Sequence, residues 1–75
     1  MEEIIKILEQ VKPGVDYKTE KSLIDNEILD SLDIVTIVAS INRELDVEIP
    51  VSEIIPENFN SAEALYETVK RLEDE

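Results

Sequence analysis

The side chains that usually do chemistry at neutral pH are scarce in this sequence, which has no cysteine and no histidine. Without cysteine there is no disulfide staple, no thiolate metal ligand and no protein-borne thiol nucleophile. Without histidine the commonest general base and the commonest zinc ligand are gone. An autonomous hydrolase or metalloenzyme would have to work with carboxylates, hydroxyls and amines alone, so catalysis is not the expected role and no metal site is expected. The grouping that stands out is Asp30-Ser31-Leu32-Asp33, a hydroxyl between two carboxylates. Two ordinary readings apply to it. A serine ahead of an apolar helix commonly caps that helix through its hydroxyl oxygen. A carboxylate pair such as Asp30 and Asp33 could serve acid–base chemistry, but in so small a helical chain it fits a solvated recognition face better. Asp25 to Asp33 lacks the spacing and the central glycine of a helix-loop-helix calcium site.

The elements that must position Ser31 can be read from hydrophobic spacing. Ile4, Ile5, Ile7, Leu8 and Val11 recur with helical period, with Glu2, Glu3, Lys6, Glu9 and Gln10 opposite them. Pro13-Gly14 stops this helix, because proline lacks an amide hydrogen and glycine accepts a left-handed helix end. Residues 15–29 form a long connection without clean periodicity. Its scattered Val15, Tyr17, Leu23, Ile24, Ile28 and Leu29 are expected to pin it over the core, and long ordered loops are more often functional than idle.

A second helix should begin at Ser31, with the serine as its N-cap. Its apolar residues Leu32, Ile34, Val35, Ile37, Val38, Ile41 and Leu45 occupy more than one stripe, predicting contacts on several sides. The β-branched content makes a strand the competing assignment, and length and period decide for helix. Ile54-Ile55, cut off by Pro56, leaves room for one or two turns. A last helix should open at Asn60-Ser61, with Asn60 and Glu63 at capping-box spacing. It would bury Ala62, Leu65, Tyr66, Val69 and Leu72. The expected fold is all-α, a four-helix bundle with three long helices, one short third helix and a long loop between helices one and two.

At 75 residues the chain reads as one domain, 1–75. Nineteen acidic against seven basic residues give a net charge of −12. Such a surface repels nucleic acids and anionic membranes and attracts basic partners in a salt-dependent way. No apolar run reaches the roughly 20 residues needed to cross a bilayer, and Met1-Glu2-Glu3 is acidic where a signal peptide would be basic. A cytoplasmic monomer is expected.

Taken together, these features resemble the acyl carrier protein family, whose attachment motif is Asp-Ser-Leu at the start of helix two. Asp30-Ser31-Leu32-Asp33-Ile34-Val35 is similar to the family run at the attachment site. Leu45-Asp46-Val47-Glu48-Ile49-Pro50 resembles the segment that closes helix two, and Leu23-Ile24-Asp25 and Pro13-Gly14 fall at comparable places. The resemblance spans essentially the whole chain. It implies a carrier, not an enzyme, whose cofactor is 4'-phosphopantetheine from coenzyme A, attached covalently to Ser31 between Asp30 and Leu32. It implies as partners a phosphopantetheinyl transferase, an acyl- or aminoacyl-loading ligase and downstream biosynthetic enzymes. A phosphodiester at a helix N-terminus is favoured by about 0.3 to 1 kcal/mol, and the missing cysteine leaves the arm's thiol without a competitor. Leu32, Ile54 and Phe59 could border a groove for arm or cargo, or could be ordinary core.

The sequence also departs from the fatty-acid carriers, which typically have several glutamates along helix two. Thr36, Asn42 and Arg43 hold those places here, with Asp33 and Glu44 remaining. Partner choice is therefore expected to turn on Asp33, Thr36, Arg43 and Glu44, since charge complementarity controls encounter and selectivity; drift without consequence is the alternative. Glu27 stands where related loops often have glycine, and Pro56-Glu57-Asn58-Phe59 lengthens the third-helix region. Leu29-Asp30-Ser31 and the Pro56-Glu57-Asn58-Phe59 stretch look more like stand-alone aminoacyl or D-alanyl carriers, or carriers encoded beside specialised biosynthetic enzymes, with fatty acyl, polyketide, amino-acid and D-alanyl cargo all open. The competing function is an acidic helical interaction module that never bears an arm. Under it, Ser31→Ala would remove only a cap, about 1 kcal/mol.

Overall fold

The computed structural model of the chain describes residues 1–74. Its elements are α1 (Glu2–Val11), α2 (Ser31–Leu45), a 3-10 turn (Val51–Glu53), α3 (Pro56–Phe59) and α4 (Ala62–Glu73), with no strand among the described residues. This is the expected helical bundle. Helix α1 packs on α2 and α4, and α3 packs on α4.

The core draws on every long helix and on the loop. Ile4, Ile7 and Leu8 of α1 meet Ile37 and Ile41 of α2 and Leu65 and Val69 of α4, with Leu23 and Leu29 from the loop and Phe59 from α3. Leu23, Ile37 and Ile41 are fully enclosed. Each such side chain contributes on the order of 1.5–3 kcal/mol through burial. The stop after α1 is as expected: Gly14 sits at φ +87°, a left-handed conformation that glycine adopts without cost.

Three local expectations are corrected. Helix α2 is capped by Asp30, not by Ser31, so the serine is the first residue inside the helix. Asp30 Oδ1 accepts the Asp33 amide at 2.9 Å, and the Asp33 carboxylate accepts the Asp30 amide at 3.2 Å. Both cap residues thus satisfy orphan donors reciprocally. Helix α4 is capped by Ser61, whose hydroxyl accepts the Ala64 amide at 3.0 Å, and not by Asn60. Pro56 opens α3 instead of cutting a helix off; at the first helical position its missing amide hydrogen is one the helix could not use.

Asn60 has a different task. Its side-chain oxygen accepts the amides of Ile24 at 2.9 Å and Asp25 at 3.1 Å, and its backbone oxygen accepts the Leu23 amide at 2.9 Å. The loop from α1 to α2 is thereby fastened to the α3–α4 junction. Its first half is held by Tyr17, whose buried phenol donates to the carbonyls of Leu8 in α1 and of Lys12 just after it, at 3.2 and 2.5 Å. Burial raises the Tyr17 phenol above its ordinary pKa, and the carboxylates of Asp33 and Glu9 add to the effect.

Candidate functional site

Ser31 is exposed, at the tip of a helix of 15 residues. Because Asp30 does the capping, the Ser31 hydroxyl has no cap role and is available for chemistry. The amides of the first turn and the positive end of the helix dipole lie beside it, an environment that favours an esterified phosphate over water-exposed coil. The residues present therefore fit a phosphodiester-linked group. When bound, 4'-phosphopantetheine supplies a terminal thiol that holds acyl cargo as a thioester.

The loop and helix together form a groove of about 280 Å³ next to the serine, lined by Ile24, Glu27, Leu29, Asp30, Ser31 and Ile34. Its floor is apolar and its polar side chains are two carboxylates and the Ser31 hydroxyl. Leu29 comes from the core, while Ile24 and Ile34 are half-buried against it. Glu27 has φ +57°, the left-handed region that favours glycine. The strain is thus real and local.

The remaining site residues separate into different environments. Leu32 is 76% exposed and Val35 64% exposed, so the second apolar stripe of α2 meets solvent and not neighbouring helices. Phe59 is core, at 1% exposure, and Ile54 is packed partly against it. Of the three residues considered for a groove, only Leu32 is freely accessible, and neither Ile54 nor Phe59 lines the groove beside Ser31. Asp33 is half-buried and engaged in the cap. Thr36 is exposed and turns its hydroxyl back to donate to the Leu32 carbonyl at 2.9 Å. Arg43 and Glu44 form an exposed ion pair at 3.6 Å near the C-terminal end of α2. The outer face of α2 is thus Leu32, Val35, Thr36 and Ala39, followed by Arg43: apolar first, cationic later. Sequence reasoning missed Val35 as an exposed residue, and its i, i+3 relation to Leu32 was the available signal.

The comparisons with known proteins agree with this geometry. The phosphopantetheine attachment site family matches residues 3–69, a span that includes Ser31. An aminoacyl carrier protein of Bradyrhizobium diazoefficiens is 41% identical over 63 residues, covering 84% of this chain and 69% of that protein. A D-alanyl carrier protein of Lactobacillus delbrueckii subsp. bulgaricus is 31% identical, covering 97% of this chain and 92% of its own length. A D-alanyl carrier protein of Streptococcus sanguinis is 30% identical over 93% of this chain. No described helix is long and apolar enough to cross a membrane. An exposed serine at a helix tip, its capping duty taken by the preceding aspartate, is what a covalently attached phosphopantetheine arm requires, and the chain belongs to the phosphopantetheine-binding carrier protein family.

Proposed function

We propose that Ser31 is the attachment point, flanked by Asp30 and Leu32, and that residues 1–75 work as one carrier domain for an aminoacyl group. The observation that supports this most is the exposed Ser31 hydroxyl, released from capping by Asp30. In the modification step, the Ser31 oxygen displaces adenosine 3',5'-bisphosphate from the pantetheine-bearing phosphorus of coenzyme A, and the hydroxyl proton leaves to a base on the transferase. An adenylating ligase then loads the amino acid, and downstream biosynthetic enzymes take it up. Coenzyme A and ATP are cytoplasmic co-substrates, which supports that location.

Aminoacyl cargo is supported by the names of the relatives and by the outer face of α2. With Thr36 and Arg43 in place of a continuous acidic strip, that face suits a partner with an apolar patch more than a strongly basic one. Leu32, Val35 and Thr36 would make the contact, Arg43 and Glu44 would tune it, and Asp33 would act through the cap.

Incubation with coenzyme A and a broad-specificity phosphopantetheinyl transferase should add the mass of one arm, and Ser31→Ala should abolish the gain. No mass gain with several transferases refutes the site and favours the unmodified interaction module. Presenting the modified protein to adenylating enzymes for fatty acids, amino acids and D-alanine should yield an aminoacyl thioester; a fatty acyl thioester alone would overturn the cargo assignment.

A further inference from the structure

The groove beside Ser31 combines a few apolar side chains with two carboxylates. Its apolar lining is small: Ile24, Leu29 and Ile34. Its charged lining is entirely anionic, with Glu27 at the loop turn and Asp30 at the cap, and no lysine or arginine among the lining residues. Asp30 already accepts the Asp33 amide, and Asp33 is in turn bound to the Asp30 amide. Glu27 has no such duty in the cap and is exposed.

We propose that the groove receives the end of a folded-back arm bearing a small amino acid, with the Glu27 carboxylate paired to the cargo's α-ammonium. This rests on attachment at Ser31 and deepens the aminoacyl reading. The thioester of an amino acid is a compact group with one positive charge, and its side chain and the arm's methylenes match a shallow apolar floor. A cargo of the same shape without the ammonium gains only the floor, and a long acyl chain gains no match for the two carboxylates. Glu27 is a specificity residue in this arrangement. An opposite charge at about 4 Å in a water-like environment changes an equilibrium about fivefold.

The test uses the full chain modified with two synthetic coenzyme A analogues. One puts a hydrolysis-resistant alanyl amide at the arm's end and the other the propionyl amide, which lacks only the amino group. Intact mass first establishes that both arms are attached, so failure at Ser31 is seen separately from failure of the groove. Methyl resonances of Ile24, Leu29 and Ile34 should move up to about fivefold further from their unloaded positions with the alanyl arm than with the propionyl arm. The alanyl ammonium should titrate higher on the protein than on the free arm, by up to about 0.7 of a unit when fully docked.

Glu27→Gln should cut the docked population about fivefold and lower that midpoint, and Glu27→Asp should keep part of both effects. Glu27→Gly provides the structural control: it relieves the left-handed strain, so the protein becomes more stable while cargo docking falls about as far as in Glu27→Gln. Equal methyl shifts with both arms, or a Glu27→Gln protein that docks the alanyl arm as well as the original, overturns the proposal.

Discussion

Replacing Asp30 and Ser31 in turn by alanine separates the cap from the proposed attachment point. Asp30→Ala removes the 2.9 Å bond to the Asp33 amide and leaves the reverse bond, from the Asp30 amide to the Asp33 carboxylate, in place. Loss of an N-cap carboxylate costs about 1 kcal/mol, within a range of roughly 0.5–2. For a chain this short that lowers the melting midpoint by about 4–8 °C. The loss is easily read against a total stability of roughly 4–11 kcal/mol at this length. Ser31→Ala acts at an exposed first helical position with no cap bond, and alanine is the better helix former by a few tenths of a kcal/mol. Its midpoint should stay within about 3 °C of the parent. Asp30→Asn, which keeps the capping oxygen and drops the charge, should fall between the two. Thermal and urea melts of the unmodified proteins supply the comparison, with intact mass showing that Ser31→Ala accepts no arm. If Ser31→Ala melted as low as Asp30→Ala, the serine would be capping the helix and the division of roles would be wrong.

Three further perturbations test the supports of the site. Asn60→Ala frees the amides of Ile24 and Asp25 together and should cost about 2 kcal/mol, with hydrogen exchange accelerating at residues 23–29 ahead of the helices. Tyr17→Phe removes the phenol bonds to Leu8 and Lys12 at a cost of about 1 kcal/mol, seen as a shift in the urea midpoint. Because the folded Tyr17 pKa is raised, its contribution is intact below the unfolded value near 10.0 and is lost as pH climbs through the folded value. The Phe variant should therefore show a shallower alkaline decline. Glu53 is held below the ordinary carboxylate range chiefly by its hydrogen bonds to Arg71, which lie at 2.6 and 3.1 Å. Its contribution is present above the unfolded pKa and lost as pH falls through the folded one. In Arg71→Gln, the Glu53 carboxyl followed by NMR should titrate higher, and an unmoved midpoint would remove the ion pair as the cause.

Much of the fold was readable because its signals are local. Pro13-Gly14 stops α1 by backbone chemistry that needs no distant partner, and the 3.6-residue recurrence outweighed the β-branched content of α2. The cap of α2 was misplaced by one residue because Asp30 and Ser31 are both good capping types, and only the backbone turn chooses between them. Asn60 was read as a cap for the same reason, when its partners lie 35 and 36 residues away and leave no trace in the local sequence. Leu32 and Val35 look like core residues by type, and their exposure became evident only once Ile37 and Ile41 were seen to take the inward direction. The motif, the loop before it and the apolar helix after it single out Ser31 in the sequence, and the structure leaves that residue exposed at the helix tip.

The fastening at Asn60 also sets where this chain can grow or shrink. From Leu23 onward the path is fixed at both ends, by Asn60 on one side and by the start of α2 on the other, and the amides of Ile28 and Leu29 close back on the Leu23 carbonyl at 2.9 and 3.0 Å. An extra residue there has no slack to occupy and would displace Ser31, the proposed attachment point. Between Lys18 and Lys21 the chain lies largely at the surface, ahead of that closure. Insertions in that stretch would be absorbed as a bulge, so length variation among natural variants is expected to gather before Leu23 and to be absent after it.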